Sequence, residues 1–242
     1  MTLHRRTFLL AAAATAAGLA AAREAAAQPA RKKIAPGPRD VLIVIDVQNC
    51  FVPGGTLPVK GGDQVVPLIN RLAAGFQHVV LTQDWHTPGH ASFASTHAGK
   101  KPFETVGLAY GTQVLWPDHC VQGSADAELV KDLKIPHAEL IIRKGYRKQI
   151  DSYSAFFEAD GKTTTGLGGY LRDRGLRQVF LAGLATDFCV AWSALDARKL
   201  GLSTYVIEDA CRGIDVDGSL VKAWEKMTKA GVKRIQSADL AV

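Results

Sequence analysis

Short runs of apolar and often β-branched residues recur along the chain and predict strands that are buried on both faces. The runs lie at 41–45, 78–82, 140–142, 179–182, 204–207 and 233–235. Segments with helical signals separate most of them, at 65–76, 167–174, 187–200 and 219–230. This alternation predicts an α/β fold, doubly wound, with a mostly parallel sheet and helices on both faces.

One long segment, 84–121, interrupts the alternation. It is rich in proline and glycine and shows little periodicity. Long irregular connections in compact domains often carry binding or catalytic residues. We therefore interpret this segment as a functional excursion from the sheet.

The N-terminus has the pattern of an export signal. Arg5 and Arg6 precede an alanine-rich apolar run, which ends in the small residues 25–27. This pattern predicts a twin-arginine (Tat) signal peptide over 1–27, a disordered lead over 28–39 and one α/β domain over 40–242. An N-terminal membrane anchor is the alternative, but a span needs about 20 strongly apolar residues. We expect a periplasmic or otherwise exported protein whose partners include the Tat machinery.

Charge and cysteine content add few constraints. The net charge of +6 falls to +4 when Arg5, Arg6, Arg23 and Glu24 are removed, and it is spread along the chain. This even spread predicts no nucleic-acid partner. A small-molecule substrate and no stable membrane anchor are further expectations, and homo-oligomerisation stays open. The four cysteines match no zinc-ribbon or C-x-x-C spacing, so the disulfide state of Cys50, Cys120 and Cys211 stays open.

Three residues that could form a nucleophilic site follow predicted strands: Asp46, Lys144 and Cys189. The carboxyl ends of parallel strands meet at one edge of a sheet, where ligands bind. Cys189 would lie in the first turn of a helix, where the helix dipole favours a thiolate. Asp46 could accept its proton and Lys144 could hold both groups charged. Taken alone, each residue has another interpretation. Cys189 could be a small buried core residue, Asp46 a turn cap, and Lys144 a surface lysine.

A second group of residues could bind a divalent metal. Asp84 and His86 are two residues apart, so on extended chain they point to the same side. His119 and His90 lie in the same excursion. One carboxylate and two imidazoles with open positions make a credible metal site. Capping and loop hydrogen bonds are the alternative for each residue taken alone.

These segments together resemble the nicotinamidases of the isochorismatase-like cysteine hydrolases, in order over nearly all of 40–242. The matching motifs are Asp46-Val47-Gln48-Asn49, Asp84-Trp85-His86, Trp116-Pro117-Asp118-His119-Cys120-Val121, Arg143-Lys144-Gly145 and Gly183-Leu184-Ala185-Thr186-Asp187-Phe188-Cys189-Val190. One departure is Cys50, where the family usually has aspartate before the phenylalanine.

The resemblance implies a role for each of these residues. The implied roles are a catalytic triad of Asp46, Lys144 and Cys189, metal ligands Asp84, His86 and His119, and His90 as a ligand in some relatives only. A cis peptide at Leu184–Ala185 would let the N–H groups of Ala185 and Cys189 form an oxyanion hole. Phe51 and Trp116 would be the aromatic walls around a pyridine ring.

The implied activity is metal-dependent hydrolysis of nicotinamide to nicotinate and ammonia through a cysteine thioester, with pyrazinamide as a second substrate. The cofactor would be one divalent ion, zinc first, with manganese and iron as alternatives. Two other functions stay open. One is a metal-independent cysteine amidase of this fold acting on a ureido or carbamoyl substrate, and the other is a non-haem iron enzyme with a two-His-one-carboxylate site.

Overall fold

A six-stranded parallel sheet forms the centre of the computed structural model, which describes residues 33–242. Its strands are β1 (Asp40–Ile45), β2 (His78–Asp84), β5 (Leu140–Lys144), β6 (Gln178–Leu184), β7 (Ser203–Arg212) and β8 (Lys233–Ile235), in the order β5-β2-β1-β6-β7-β8. Two further strands, β3 (Thr105–Leu108) and β4 (Gly111–Val114), form a separate antiparallel hairpin. The predicted signal peptide and the lead up to residue 32 lie outside the described residues.

Helices cover both faces of the sheet, as the sequence predicts. They are α1 (Val65–Ala73), α2 (Leu167–Asp173), α3 (Ala191–Lys199) and α4 (Ser219–Lys229). Because side chains alternate along a strand, Leu42 and Val44 of β1 pack in one core cluster with α1, and Ile43 packs in another with α2, α3 and α4. The doubly wound α/β class is therefore confirmed.

The long excursion is less irregular than its sequence indicates, since it contains the β3–β4 hairpin. The four residues of β3 alternate between exposed and half-buried positions. Because the strand is short and none of its residues is fully buried, its sequence contains no apolar run that would predict a strand. The hairpin brings Gln113, which is almost fully buried, next to the pocket described below.

The segment predicted as a disordered lead is ordered where the structure describes it. Ile34 pairs with Leu240 near the C-terminus, and its N–H donates to the carbonyl of Asp239 at 2.8 Å. Ile34 also packs against the core cluster on the α1 face. Ile34 therefore joins the segment before β1 to the C-terminal segment and to the core. Among residues 33–242, no helix combines the length and the apolar character needed to cross a membrane.

The C-terminal end of β6 depends on a glycine. Gly183 has φ +123°, and a Cβ placed there would lie 2.1 Å from the carbonyl oxygen of Ile45 on β1. No side chain can be accommodated without moving one of two central strands.

We expect Gly183→Ala to lower the free energy of unfolding by on the order of 3 kcal/mol or more, or to prevent folding, because backbone must move. Gly175→Ala is the matched control. Gly175 also has positive φ (+69°), but a Cβ placed there would have no atom of the described residues within 4 Å, so only the conformational cost of about 1 kcal/mol applies. Urea unfolding gives the free energy of unfolding of both variants. Equal decreases would contradict the inference that the backbone of β1 leaves no room for a side chain at Gly183.

Candidate active site

Three strand ends bring the predicted catalytic residues together. Lys144 is the last residue of β5, Asp46 follows β1, and Cys189 lies in the helical turn Thr186–Val190 between β6 and α3. The Lys144 side chain is fully buried. Its Nζ lies 2.8 Å from Asp46 Oδ2 and 3.3 Å from Cys189 Sγ, and it donates to the carbonyl of Ser152 at 3.0 Å.

Asp46 is held in place by a residue that sequence reasoning missed. Its backbone N–H donates to Thr82 Oγ1 at 3.1 Å, and the Thr82 hydroxyl donates to Asp46 Oδ1 at 2.5 Å. Asp46 itself has φ +48°, which turns the chain sharply after β1. The only sequence signal for Thr82 is a hydroxyl at the end of an otherwise apolar strand.

Burial and charge oppose one another in this cluster. Burial acts to lower the pKa of Lys144, but the carboxylates of Asp46 and Asp84 raise it well above its usual range, so the ammonium stays charged. Burial raises the pKa of Asp46 despite the nearby ammonium, which suits a group that accepts and returns a proton.

Burial also raises the pKa of the Cys189 thiol, and Lys144 acts against this. The sequence predicts a lowered value from the helix dipole. The structure differs because the sulfur is almost fully buried and lies near two carboxylates, which disfavours a thiolate.

Asp84 connects this cluster to the histidines. Its Oδ1 accepts a hydrogen bond from Lys144 Nζ, and its Oδ2 lies 3.7 Å from His86 Nε2 and 3.9 Å from His119 Nε2. Although burial acts in the opposite direction, the charge of Lys144 and the nearby His86 ring hold the pKa of Asp84 well below its usual range. The side chain of Gln48, part of the first motif, holds the backbone of Asp84. Its Nε2 donates to the Asp84 carbonyl and its Oε1 accepts from the Asp84 N–H, both at 2.8 Å.

The two imidazoles are oriented as metal ligands. His86 Nδ1 donates to the carbonyl of Gly145 at 2.9 Å, and His119 Nδ1 donates to the carbonyl of Pro117 at 2.8 Å. Because a carbonyl only accepts, the neutral form of each ring carries its proton on Nδ1 and has a lone pair on Nε2, and both Nε2 atoms face Asp84. Ligand atoms of these three residues lie within 4.8 Å of one another. Burial lowers the pKa of His119 to about 4, so its ring is neutral at neutral pH, the form that binds metal. The residues present therefore fit a divalent ion.

His90 is placed differently. Its ring lies 4.4 Å from that of His86, but its Nε2 faces the carbonyls of Arg147 and Ile150 at 3.0 and 3.2 Å. Its Nδ1 accepts from the backbone N–H of Ser92 at 3.2 Å. Both nitrogens are thus occupied, and His90 supports the loop after β5 rather than joining Asp84, His86 and His119.

A cleft lies over both clusters, and Asp84, His86, His119 and Cys189 line it. The predicted walls Phe51 and Trp116 line it. The apolar and aromatic residues that sequence reasoning missed are Leu57, Tyr153, Phe188 and Ile214. The Tyr153 hydroxyl accepts hydrogen bonds from Trp116 Nε1 and Gln113 Nε2, both at 2.9 Å, and so orients the indole ring. Asp151 also lines the cleft and accepts from Gln113 at 2.8 Å.

The remaining predicted features lie beside the nucleophile. The peptide bond Leu184–Ala185 is cis, and Ala185 and Cys189 both line the cleft. Elsewhere around the cleft, Cys50 and Cys120 form a disulfide, whereas Cys189 and Cys211 are free. The sequence leaves this pairing open.

Comparison with known proteins agrees with this arrangement. The isochorismatase domain matches residues 40–239. A nicotinamidase from Acinetobacter baylyi is 59% identical over 201 residues, which cover 83% of this chain and 94% of that protein. The solved structure of a nicotinamidase/pyrazinamidase from Acinetobacter baumannii has 60% identity and a TM-score of 0.83, covering 84% of this chain and 98% of that chain.

A more distant solved structure was determined with a metal. The pyrazinamidase of Pyrococcus horikoshii in complex with zinc has 34% identity and a TM-score of 0.66, covering 82% of this chain and 99% of that chain. Fold, motif order and relatives agree over almost the whole described domain. The chain therefore belongs to the isochorismatase family.

Proposed function

We propose that this protein is an amide hydrolase that converts nicotinamide to nicotinate and ammonia, and that also accepts pyrazinamide. The observation that carries this proposal is the sharing of Asp84 between the Lys144 cluster and the two histidines, in one cleft with aromatic walls. Nicotinamidase relatives that match nearly the full domain support the choice of substrate.

Cys189 would be the nucleophile. As its sulfur attacks the carboxamide carbon, the thiol proton passes to Asp46, and the carbonyl oxygen becomes an oxyanion. The backbone N–H groups of Ala185 and Cys189 would stabilise that charge. The carbon–nitrogen bond then breaks, and ammonia leaves with the proton from Asp46.

The same residues would complete the cycle. Asp46, again a carboxylate, accepts a proton from water as the water attacks the thioester carbonyl. The carbon–sulfur bond breaks, the proton on Asp46 returns to the Cys189 sulfur, and the acid leaves as nicotinate after its own hydroxyl proton passes to solvent. Lys144 keeps its charge throughout and offsets the negative charge that moves between sulfur and carboxylate.

Asp84, His86 and His119 would hold the divalent ion, with zinc favoured and manganese and iron as alternatives. When bound, the ion supplies a Lewis acid that accepts the lone pair of a pyridine or pyrazine nitrogen. Phe51 and Trp116 would pack against the ring, while Tyr153 keeps Trp116 in orientation. A non-haem iron oxygenase would leave Lys144 and Cys189 without a role, although both lie within the same buried cluster as Asp84.

Export through the Tat route is the second part of the proposal. It rests on Arg5 and Arg6 before the alanine-rich run. The Cys50–Cys120 disulfide supports it, because disulfides persist in oxidising compartments such as the periplasm. The mature enzyme would act outside the cytoplasm.

We expect Cys189→Ala to lower the rate of nicotinamide hydrolysis on the order of 10³-fold or more, because the covalent nucleophile is lost. Metal content and the unfolding transition should stay as in the native protein. Cys211→Ala is the matched control, since Cys211 is the other buried free cysteine, and it should keep most activity. Activity of the Cys189 variant within about tenfold of native would refute the cysteine mechanism.

We expect His86→Ala and His119→Ala each to lose stoichiometric zinc together with nicotinamide hydrolysis, while Cys189 still reacts with a small alkylating agent. His90→Ala should retain metal, because both of its ring nitrogens already have other partners. Metal analysis of purified variants gives the first readout, and alkylation followed by mass spectrometry gives the second. Full turnover of nicotinamide by metal-free protein would contradict the metal dependence and favour a metal-independent amidase.

We expect replacement of both Arg5 and Arg6 by lysine to leave the protein uncleaved in the cytoplasm, because the twin arginines are the Tat recognition element. Cell fractionation and the mass of the N-terminus measure the outcome. Arg23→Lys, a basic residue outside the pair, is the control and should be exported. Normal processing of the double-lysine variant would show that the Tat assignment is wrong.

A further inference from the structure

The disulfide joins two segments that meet at the cleft. Cys50 directly precedes Phe51, and Cys120 directly follows His119. Both cysteines are fully buried, and the rings of Phe51 and His119 lie 5.6 Å apart. The bond therefore ties an aromatic wall of the cleft to a candidate metal ligand.

The three candidate ligands are not fixed in the same way. Asp84 ends strand β2 of the central sheet, and His86 follows two residues later with its ring held by Gly145 next to β5. His119 lies in the excursion, outside the strands of the sheet that the structure describes. Its position therefore depends on the contacts that its own short segment makes.

Those contacts centre on Cys120. The carbonyl of Cys120 accepts from the backbone N–H of His86 at 3.0 Å, and its N–H donates to Asp126 Oδ2 at 3.1 Å. Cys120 also has φ +45°, a region that residues other than glycine adopt only when surrounding contacts enforce it. The disulfide adds a covalent contact between this segment and the loop after β1.

Asp126 provides a non-covalent tie at the same place. Besides Cys120, it accepts from the hydroxyl of Thr56 at 2.6 Å and from the backbone N–H of Thr56 at 3.2 Å. The loop after β1 and the segment that carries His119 are therefore linked twice, once by the disulfide and once through Asp126. Loss of the disulfide should loosen the His119 segment without unfolding the domain.

We propose that the Cys50–Cys120 disulfide is a positioning element for His119 and Phe51, so that the metal affinity of the site depends on whether this bond is formed. This inference rests on the proposed metal site. A disulfide at this position would suit an enzyme that works in an oxidising compartment, where such bonds persist.

The bond can be opened by a trialkylphosphine. Phosphorus donates two electrons to the sulfur–sulfur bond, water supplies the oxygen of the phosphine oxide and two protons, and two thiols result. Denatured native protein should show two titratable thiols, Cys189 and Cys211, and the reduced protein should show all four cysteines.

The test is the zinc dissociation constant of the full mature protein, measured by competition with a chromophoric chelator. The forms to compare are the native protein, the phosphine-reduced protein and Cys50→Ala/Cys120→Ala, which has no new thiols to bind zinc. We expect zinc affinity on the order of tenfold weaker in the last two forms, the scale seen when groups that orient metal ligands are removed. Hydrolysis of nicotinamide should fall at limiting zinc and recover at saturating zinc, because all ligands remain. Cys211→Ala, which removes a buried sulfur elsewhere, should bind zinc as the native protein does.

Each adverse outcome has a separate meaning. Zinc affinity of the double-alanine variant within about twofold of native, well short of the tenfold scale for lost ligand orientation, would overturn the positioning role, even if the variant melts at a lower temperature. Four titratable thiols in the native protein would overturn it as well. If no form binds zinc, the proposed metal site itself fails, and this inference fails with it.

Discussion

A single buried ammonium group determines how the site is built. Lys144 is fully removed from solvent, and a charge can be buried in this way only if opposite charges and hydrogen-bond acceptors surround it. Asp46, Asp84 and the carbonyl of Ser152 supply them. The ends of β1, β2 and β5 must therefore meet. Because Asp84 also faces both imidazoles, the candidate nucleophile and the candidate metal ligands form one electrostatic unit.

The other half of the site depends on loops. His119 and Trp116 come from the excursion, and Tyr153 comes from the segment after β5. The β3–β4 hairpin holds Tyr153 through Gln113, and the disulfide holds His119 beside Phe51. Rigid strands thus carry the reacting groups, while cross-linked loops shape the substrate pocket, a common division in α/β enzymes.

This division also explains what the sequence could predict. Continuous apolar strands are a strong signal, and polar residues at their ends, such as Asp46 and Lys144, stand out against them. Gln48 and Thr82 act through hydrogen bonds to partners 36 residues away, and no local pattern reveals such a pairing. The helix-dipole argument for Cys189 is wrong about the direction of the pKa shift, because burial depends on the whole fold. The Cys50–Cys120 bond likewise follows from tertiary proximity and not from spacing.

We propose that this cleft hydrolyses an aromatic carboxamide whose ring nitrogen faces the candidate metal ligands. The most direct measurement is the amount of ammonia and carboxylic acid that the purified, zinc-loaded protein releases from nicotinamide, compared with benzamide and a ureido acid. We expect equal amounts of nicotinate and ammonia from nicotinamide, and much slower release from benzamide, which has the same shape without the ring nitrogen. Turnover of the ureido acid with none of nicotinamide would contradict this proposal.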